Sequence, residues 1–216
     1  MKKIAVVLSG NGVYDGSEIH EAVLSLYAIQ KAGAEYSIFA PDIPQHHVVN
    51  HLTGEEMKEK RNVLVESARI ARGKISPLSK FNADDFDALL LPGGFGAAKN
   101  LSTFAFDGAD CDIHEEVANS INGMIERNKP IGALCISPVI LAKLVGKQIE
   151  LTIGSDKGTA EAVTAMGASH QQTDHGEIVV DKKYKVVTTP CYMLDASIAQ
   201  IGTGAENVVN KLVELI

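Results

Sequence analysis

The chain alternates unbroken apolar runs with stretches in which apolar residues recur at helical spacing. Ile4 to Leu8 is a continuous run closed by Ser9-Gly10-Asn11-Gly12. Such a run suits a strand covered on both faces, as in a parallel sheet. Ser17 stands where a cap is needed, and Ile19, Ala22, Val23 and Leu26 then repeat as one helix face until Ala32-Gly33. Glu35 to Ala40 reads as a second strand, ended by Pro41-Asp42. Ala88 to Leu91 is a further buried strand, running straight into Pro92-Gly93-Gly94-Phe95-Gly96. Ile131 to Leu134 is another, following Lys129-Pro130. The spacing predicts helices over Arg61 to Arg72, His114 to Arg127, Pro138 to Val145 and Thr159 to Met166. A last helix is predicted from about Leu194 to Leu215, loosened near Gly202 and Gly204. Leu151-Thr152-Ile153 reads as a short strand. Ile178 to Val180 and Tyr184 to Thr189 straddle Asp181-Lys182-Lys183 as a β-hairpin.

Strands alternating with helices imply an α/β fold, with a mostly parallel sheet covered by helices on both sides. The pattern breaks between Pro44 and Ser79, which predicts an insertion at about 44–79 on a single domain spanning 1–216. Ligands in such folds sit beyond the carboxyl ends of the strands. The positions to search are therefore near Ser9, Leu91, Cys135, Ile153 and Thr189.

Composition narrows the partners. The net charge is -7, from 27 acidic against 20 basic residues, which disfavours nucleic acid and anionic membranes. No apolar run approaches the ~20 residues of a membrane span. The opening apolar run is too short for a signal peptide. Three cysteines, Cys111, Cys135 and Cys191, are an odd number with no close spacing, which points to a reducing compartment. Together these features predict a cytoplasmic protein.

Cys135 ends an apolar strand and immediately precedes a helix. A thiol at such a turn gains from the partial positive charge of the helix start, which favours thiolate, the attacking species. The Ile136 amide would face a developing oxyanion, and the Gly93-Gly94 turn offers a second one. A buried structural cysteine is an equally open reading from position alone. Cys111 lies between Asp110 and Asp112, which disfavour its thiolate. Cys191, after Pro190 at a strand end, can face the same cleft.

Asp87 to Gly94, Ala98 to Leu101 and Lys129 to Cys135 together resemble the ThiJ/PfpI superfamily, related to class I glutamine amidotransferases. Leu8-Ser9-Gly10-Asn11-Gly12-Val13-Tyr14-Asp15-Gly16-Ser17-Glu18-Ile19-His20-Glu21 is similar, more narrowly, to the ElbB (enhancing lycopene biosynthesis) family. Asn50 to Gly54, Gly93 to Ser102 and Leu151 to Gly154 share that similarity, which covers the whole chain. The resemblance implies a flavodoxin-like, doubly wound sheet with a cysteine nucleophile elbow, and a homodimer. It implies a cofactor-independent glyoxalase of the lyase class, converting glyoxal to glycolate without glutathione, and a link to isoprenoid output. The substrate would be a small aldehyde.

By the same resemblance, a glutamate of the first helix contacts the cysteine. The matching position is Glu21, with Glu18 one turn earlier as its rival. Glu21 precedes Ala22 and so lies near the buried arc of the helix. Burial would raise its pKa and suit it to proton transfer. The histidine that many superfamily members place near the cysteine is missing: Ile136 follows Cys135, and the next strand ends Ile153-Gly154-Ser155. His20 is the candidate substitute. The catalytic set is then Cys135, Glu21 and His20, with Gly93, Gly94, Ile136 and Asn11 as oxyanion or binding residues, and no metal. His46, His47 and His51 lack the matched acids or cysteines of a metal site.

Two other classes compete. A non-catalytic redox-sensing or interaction protein would use the same reactive cysteine, through its oxidation to sulfenic acid. A dinucleotide site would use Gly10, Gly12 and Gly16, but the third glycine falls one position late for the fingerprint.

Overall fold

The computed structural model describes residues 1–216. The chain runs β1 (Lys3–Val7), α1 (Ile19–Lys31), β2 (Glu35–Ala40), α2 (Val63–Ile70), β3 (Ser76–Pro77) and β4 (Ala88–Leu91). It continues through α3 (Phe95–Lys99), α4 (Phe104–Asp107), α5 (Glu115–Glu126), β5 (Ile131–Leu134) and α6 (Pro138–Val145). It ends with β6 (Glu150–Leu151), α7 (Lys157–Ala165), β7 (Ser169–His170), β8 (Val179–Asp181), β9 (Val186–Thr189) and α8 (Ile198–Leu215).

Seven strands form one sheet in the order β3-β2-β1-β4-β5-β9-β8. All neighbours are parallel except β8, which returns antiparallel against β9. The central strands β4 and β5 are buried along their whole length. That accounts for their uninterrupted apolar runs, because both faces meet helices and no position faces water. The expected α/β, flavodoxin-like arrangement is therefore present. No helix is long and apolar enough to cross a membrane.

Four local expectations are corrected. Leu151 joins not the main sheet but a separate parallel pair, β6 with β7. The stretch expected as an insertion supplies α2 and the edge strand β3, which pairs with β2. Glu18, not Ser17, caps α1, its carboxylate accepting from the Glu21 amide at 2.7 Å. Ser17 instead accepts from the Ser9 amide at 2.8 Å. The last helix starts at Ile198 behind a Ser197–Gln200 capping box, and it runs without a break past Gly202 and Gly204.

Candidate active site

Cys135 sits where β5 turns into α6, in the left-handed region at φ 60°. For a residue with a side chain this conformation costs about 1–2 kcal/mol, so the surrounding contacts must impose it. The Cys135 amide donates to the Thr189 carbonyl at 3.0 Å, prolonging the pairing of β5 with β9 by one residue. Two residues on, the buried Ser137 hydroxyl donates to the Pro92 carbonyl at 2.7 Å, tying the start of α6 to the end of β4. Pro138 then opens the helix with φ already suited to it. The sulfur is thus fixed between the ends of β4 and β9, where the neighbouring amides of Gly94 and Ile136 favour charge on it.

Glu21, on α1, is fully buried and reaches the same point. Its Oε2 accepts from the Gly93 amide at 2.9 Å, and its Oε1 from the Tyr192 amide at 3.3 Å. The carboxyl and the Cys135 sulfur converge on the same point, since a Cβ built at Gly93 would lie 2.6 Å from Oε2 and 3.0 Å from Sγ. One side chain therefore touches the ends of β4, β5 and β9. Glycine is required at 93, because a Cβ there would stand 2.3 Å from Cys135 Cβ and 2.6 Å from Glu21 Oε2. At Gly94 the constraint is doubled: φ is 100°, and a Cβ would meet the Gly16 carbonyl and the Glu18 amide at 2.3 Å.

Burial pushes the Glu21 carboxyl up to about 8, and the nearby charge of Glu18 adds to the rise. The hydrogen bonds from Tyr192, Cys135 and Gly93 oppose it without cancelling it. Cys135 is also raised well above the usual thiol value, first by burial and then by the Glu21 charge, while the Gly94 and Ile136 amides pull it down. The expectation of a thiol depressed by a helix start is thus corrected. Desolvation acts on the whole charge of a thiolate, whereas two amides and a helix end offer fractions of a charge. The two groups titrate as one coupled pair. The Gly94 and Ile136 amides favour charge on sulfur, and the Gly93 and Tyr192 amides favour charge on the carboxylate.

Of the residues singled out from sequence, Cys135, Glu21, Gly93, Gly94 and Ile136 come together. Gly93 does so in a different role from the one expected, since its amide serves Glu21 rather than an oxyanion. His20 is turned away: its Nδ1 lies 2.8 Å from the Tyr192 hydroxyl and 3.9 Å from Glu18, and its side chain is 49% exposed. Nothing joins it to the sulfur, because the residue before Glu21 on a helix points to another face. Asn11 does not line the cavity above the sulfur; Val13 is the residue of that loop that does. Cys191 is buried in a second left-handed turn, at φ 43°, beyond β9. Cys111 is buried too, and burial raises its thiol.

The glycine loop after β1 has already spent its amides. Ser9 donates to Ser17, Gly10 to the Ser67 hydroxyl at 2.9 Å, Gly12 to the Ser17 carbonyl, and Gly16 to the Gly12 carbonyl. These four amides are not available to cradle a pyrophosphate. His51 is held between the Tyr14 amide and the Val49 carbonyl, and His46 and His47 pack on Phe106. No group of three or more His, Cys, Asp or Glu side chains is arranged to hold a metal ion.

A cavity of about 380 Å³ opens onto Cys135. Phe95, Phe104, Met193 and Tyr192 line it, with Asp156 and Thr159 from the start of α7. Sequence patterning missed Tyr192 altogether, since its contact with Glu21 is through a backbone amide and leaves no side-chain signature. The only hint was the strand-end position of its neighbour Cys191.

The model of the DJ-1/PfpI family matches residues 2–192. The "ES1 protein homolog, mitochondrial" of Rattus norvegicus is 50% identical over 99% of this chain and 84% of that protein. "Glutamine amidotransferase-like class 1 domain-containing protein 3, mitochondrial" of Homo sapiens is 48% identical over 99% of this chain and 83% of that protein. Among solved structures, an isoprenoid biosynthesis protein with amidotransferase-like domain from Ehrlichia chaffeensis superposes with a TM-score of 0.92, at 34% identity over 99% of this chain and 100% of that one. The mitochondrial names overturn the expectation of a cytoplasmic protein. Unpaired cysteines indicate a reducing compartment, and that property does not separate one reducing compartment from another.

Proposed function

The chain belongs to the DJ-1/PfpI family, and from that premise we propose a cofactor-independent, glyoxalase-type enzyme that converts glyoxal to glycolate through Cys135. The observation that carries the reading is the strained elbow at Cys135, with the buried Glu21 carboxyl beside its sulfur and the Gly94 and Ile136 amides favouring charge there. The narrower placement with the ElbB proteins is supported by the motifs from Leu8 to Glu21 and by the likeness to the Ehrlichia chaffeensis protein.

In this reading the ionised form of Glu21, a minor share near neutrality, takes the Cys135 proton as the sulfur attacks an aldehyde carbon. The resulting alkoxide lies against the Gly94 and Ile136 amides and takes the proton back from Glu21, giving a hemithioacetal. The Glu21 carboxylate then removes the C–H proton of that carbon and returns a proton to the neighbouring one, by way of an ene-diol. A thioester remains, and water cleaves it to glycolate and free thiol. The net change is addition of one water, with no external oxidant or reductant. A carboxyl near 8 is well placed to give and take protons close to neutrality. Oxyanion donors contribute roughly 3–4 kcal/mol each in other enzymes, so the two amides weigh as much as the base.

The redox-sensing alternative gains less support. Sensor cysteines are exposed and low in pKa, whereas Cys135 is 7% exposed and raised. Glyoxal consumption and glycolate formation by the native chain, Cys135→Ser and Glu21→Gln test the proposal. A large loss is expected in both variants, and equal rates in all three would end it.

A further inference from the structure

The stretch between β2 and α2 reaches the site through one imidazole. His51 lies on a loop closed by the antiparallel bridge of Val49 with Glu56, and its ring packs on Tyr14 in the segment after β1. Its Nε2 accepts from the Tyr14 amide at 3.2 Å, and its Nδ1 lies 3.0 Å from the Val49 carbonyl. A carbonyl can only accept, and a backbone amide can only donate. The two partners therefore fix the ring as one neutral tautomer, with its proton on Nδ1 and a bare lone pair on Nε2. The fit is close: a Cβ at Gly12 would stand 2.6 Å from Nε2, so glycine there lets the ring reach Tyr14.

What the ring holds is a wall of the site. Tyr14 follows Val13, which lines the cavity above Cys135. The Val13 carbonyl accepts from the Phe95 amide at 2.8 Å, and the Gly16 carbonyl from the Gly96 amide at 2.9 Å. Gly94 stands directly before that pair, so close to the loop that a Cβ there would meet the Gly16 carbonyl at 2.3 Å. Its amide is one of the two that favour charge on the sulfur. A continuous run of backbone contacts thus leads from His51 through Tyr14, Val13 and Phe95 to Gly94.

A proton on Nε2 would break the first link, because the ring would then present a donor to an amide that is itself a donor. The His51 side chain is 39% exposed, so solvent protons reach it. A second partner stands ready: Asp15 Oδ1 is 3.9 Å from Nε2. Asp15 is buried, and its Oδ2 already accepts from the Val49 amide at 2.6 Å. The other charged groups of this neighbourhood are Lys99 of α3, whose ammonium donates to the Tyr14 carbonyl at 2.9 Å, and Glu55 and Glu56 on the loop of His51 itself. Tyr14 is the remaining titratable side chain, with its ring centre 4.9 Å from that of His51. The imidazole has two exclusive arrangements: neutral against the Tyr14 amide, or charged towards Asp15.

We propose that His51 is a positioning residue for the cysteine site, and that it acts only while its ring is neutral. Protonation withdraws the acceptor from Tyr14, loosens the contact of Val13 with Phe95 and turns the site down in acid. Histidine is the side chain suited to such a device, since its charge ordinarily changes between about pH 5 and 8. The inference rests on the reading of Cys135 and Glu21 as the reacting pair, and it names a regulation of that site.

Two measurements test it. The first is long-range proton–nitrogen correlation on the nitrogen-15-labelled native chain, followed from pH 8 to pH 5. Expected at pH 8 are a protonated Nδ1 and a bare Nε2 on His51. The Tyr14, Gly94 and Phe95 amide signals should then move together as that ring titrates. The second is kcat/KM for glyoxal over the same range in the native chain, His51→Gln and His51→Phe. Glu21 titrates in all three, so its own pH dependence cancels in their ratios. The ratio of native to His51→Gln should fall about fivefold from pH 8 to pH 5, the scale of one net hydrogen bond. At pH 8 His51→Gln, which keeps an acceptor for Tyr14, should exceed His51→Phe. A proton on Nε2 at pH 8, Gly94 and Phe95 signals that ignore the ring, or a ratio independent of pH overturns the inference. If no aldehyde is turned over while the three amides still follow the ring, the glyoxalase-type reading falls and the His51 link stands. Neither turnover nor coupled signals ends both.

Discussion

The Gly93 amide donates to Glu21 Oε2 at 2.9 Å, and that bond sorts the two glycines after β4 into separate tasks. Gly93 orients the acid, while the Gly94 amide favours charge on the sulfur. The carboxyl and the thiol can meet only because position 93 carries no side chain.

Gly93→Ala is therefore expected to break the pair while leaving the sheet intact. The new methyl would have to displace Cys135 or Glu21 from contacts of 2.3 and 2.6 Å. Displacements of about 1 Å from productive geometry cost on the order of 10²-fold in rate. Aldehyde turnover should fall by that order with the far-ultraviolet circular dichroism unchanged. Retention of full activity would contradict the geometry.

Stability should fall as pH rises between about 4.5 and 8. Glu21 holds its proton up to about 8 in the folded chain, against an ordinary value of 4.5. Within that window the folded state binds a proton that the unfolded chain has released. The associated stability is complete below the lower value and lost above the upper one. Thermal melts from pH 4 to 9 should show a declining midpoint in the native chain and a flatter profile in Glu21→Gln. Identical slopes in the two proteins would mean that Glu21 ionises normally.

The same variant should make Cys135 ionise more readily while it removes catalysis. The Glu21 charge is the second cause of the raised thiol, after burial. Neutralising it leaves the Gly94 and Ile136 amides opposed by desolvation alone. The pH midpoint for alkylation by iodoacetamide should move down in Glu21→Gln. An upward move would show that the carboxyl, when protonated, stabilises thiolate more than its charge opposes it.

The parts of this site that were legible in the sequence are those with a local cause. Unbroken apolar runs marked β1, β4 and β5 because those strands are covered on both faces. The end of β5, followed four residues later by Pro138, marked the elbow. The match of Glu21 came from resemblance and from its place beside Ala22 on the buried side of α1. What was not legible depends on distant segments meeting. The raised thiol follows from how completely three strand ends and α1 exclude water. The Tyr192 amide acts through backbone, which any residue type supplies. The helices α3 and α4, of five and four residues, are too short to show a period. His20 was misread because adjacency in sequence on a helix separates side chains by about 100°.

The strain at the elbow can be measured directly. Cys135 has φ 60°, whereas its neighbour Ala133 lies in the regular, fully buried strand β5 and pairs with Thr188. A left-handed residue with a Cβ pays about 1–2 kcal/mol that glycine does not. Glycine also carries more chain entropy when unfolded, by roughly 0.4–1 kcal/mol, which offsets part of the gain. Both Cys135→Gly and Cys135→Ala remove the sulfur and its contacts, so their comparison isolates the backbone. Cys135→Gly should be the more stable of the two by roughly 0.5–1 kcal/mol in urea unfolding. The control is Ala133→Gly, which has no strain to relieve and should be destabilised by at least about 0.5–1 kcal/mol. If alanine were the more stable residue at 135 as well as at 133, the turn would not be held against its own preference. The sulfur would then owe its position to side-chain packing rather than to the fold of the elbow.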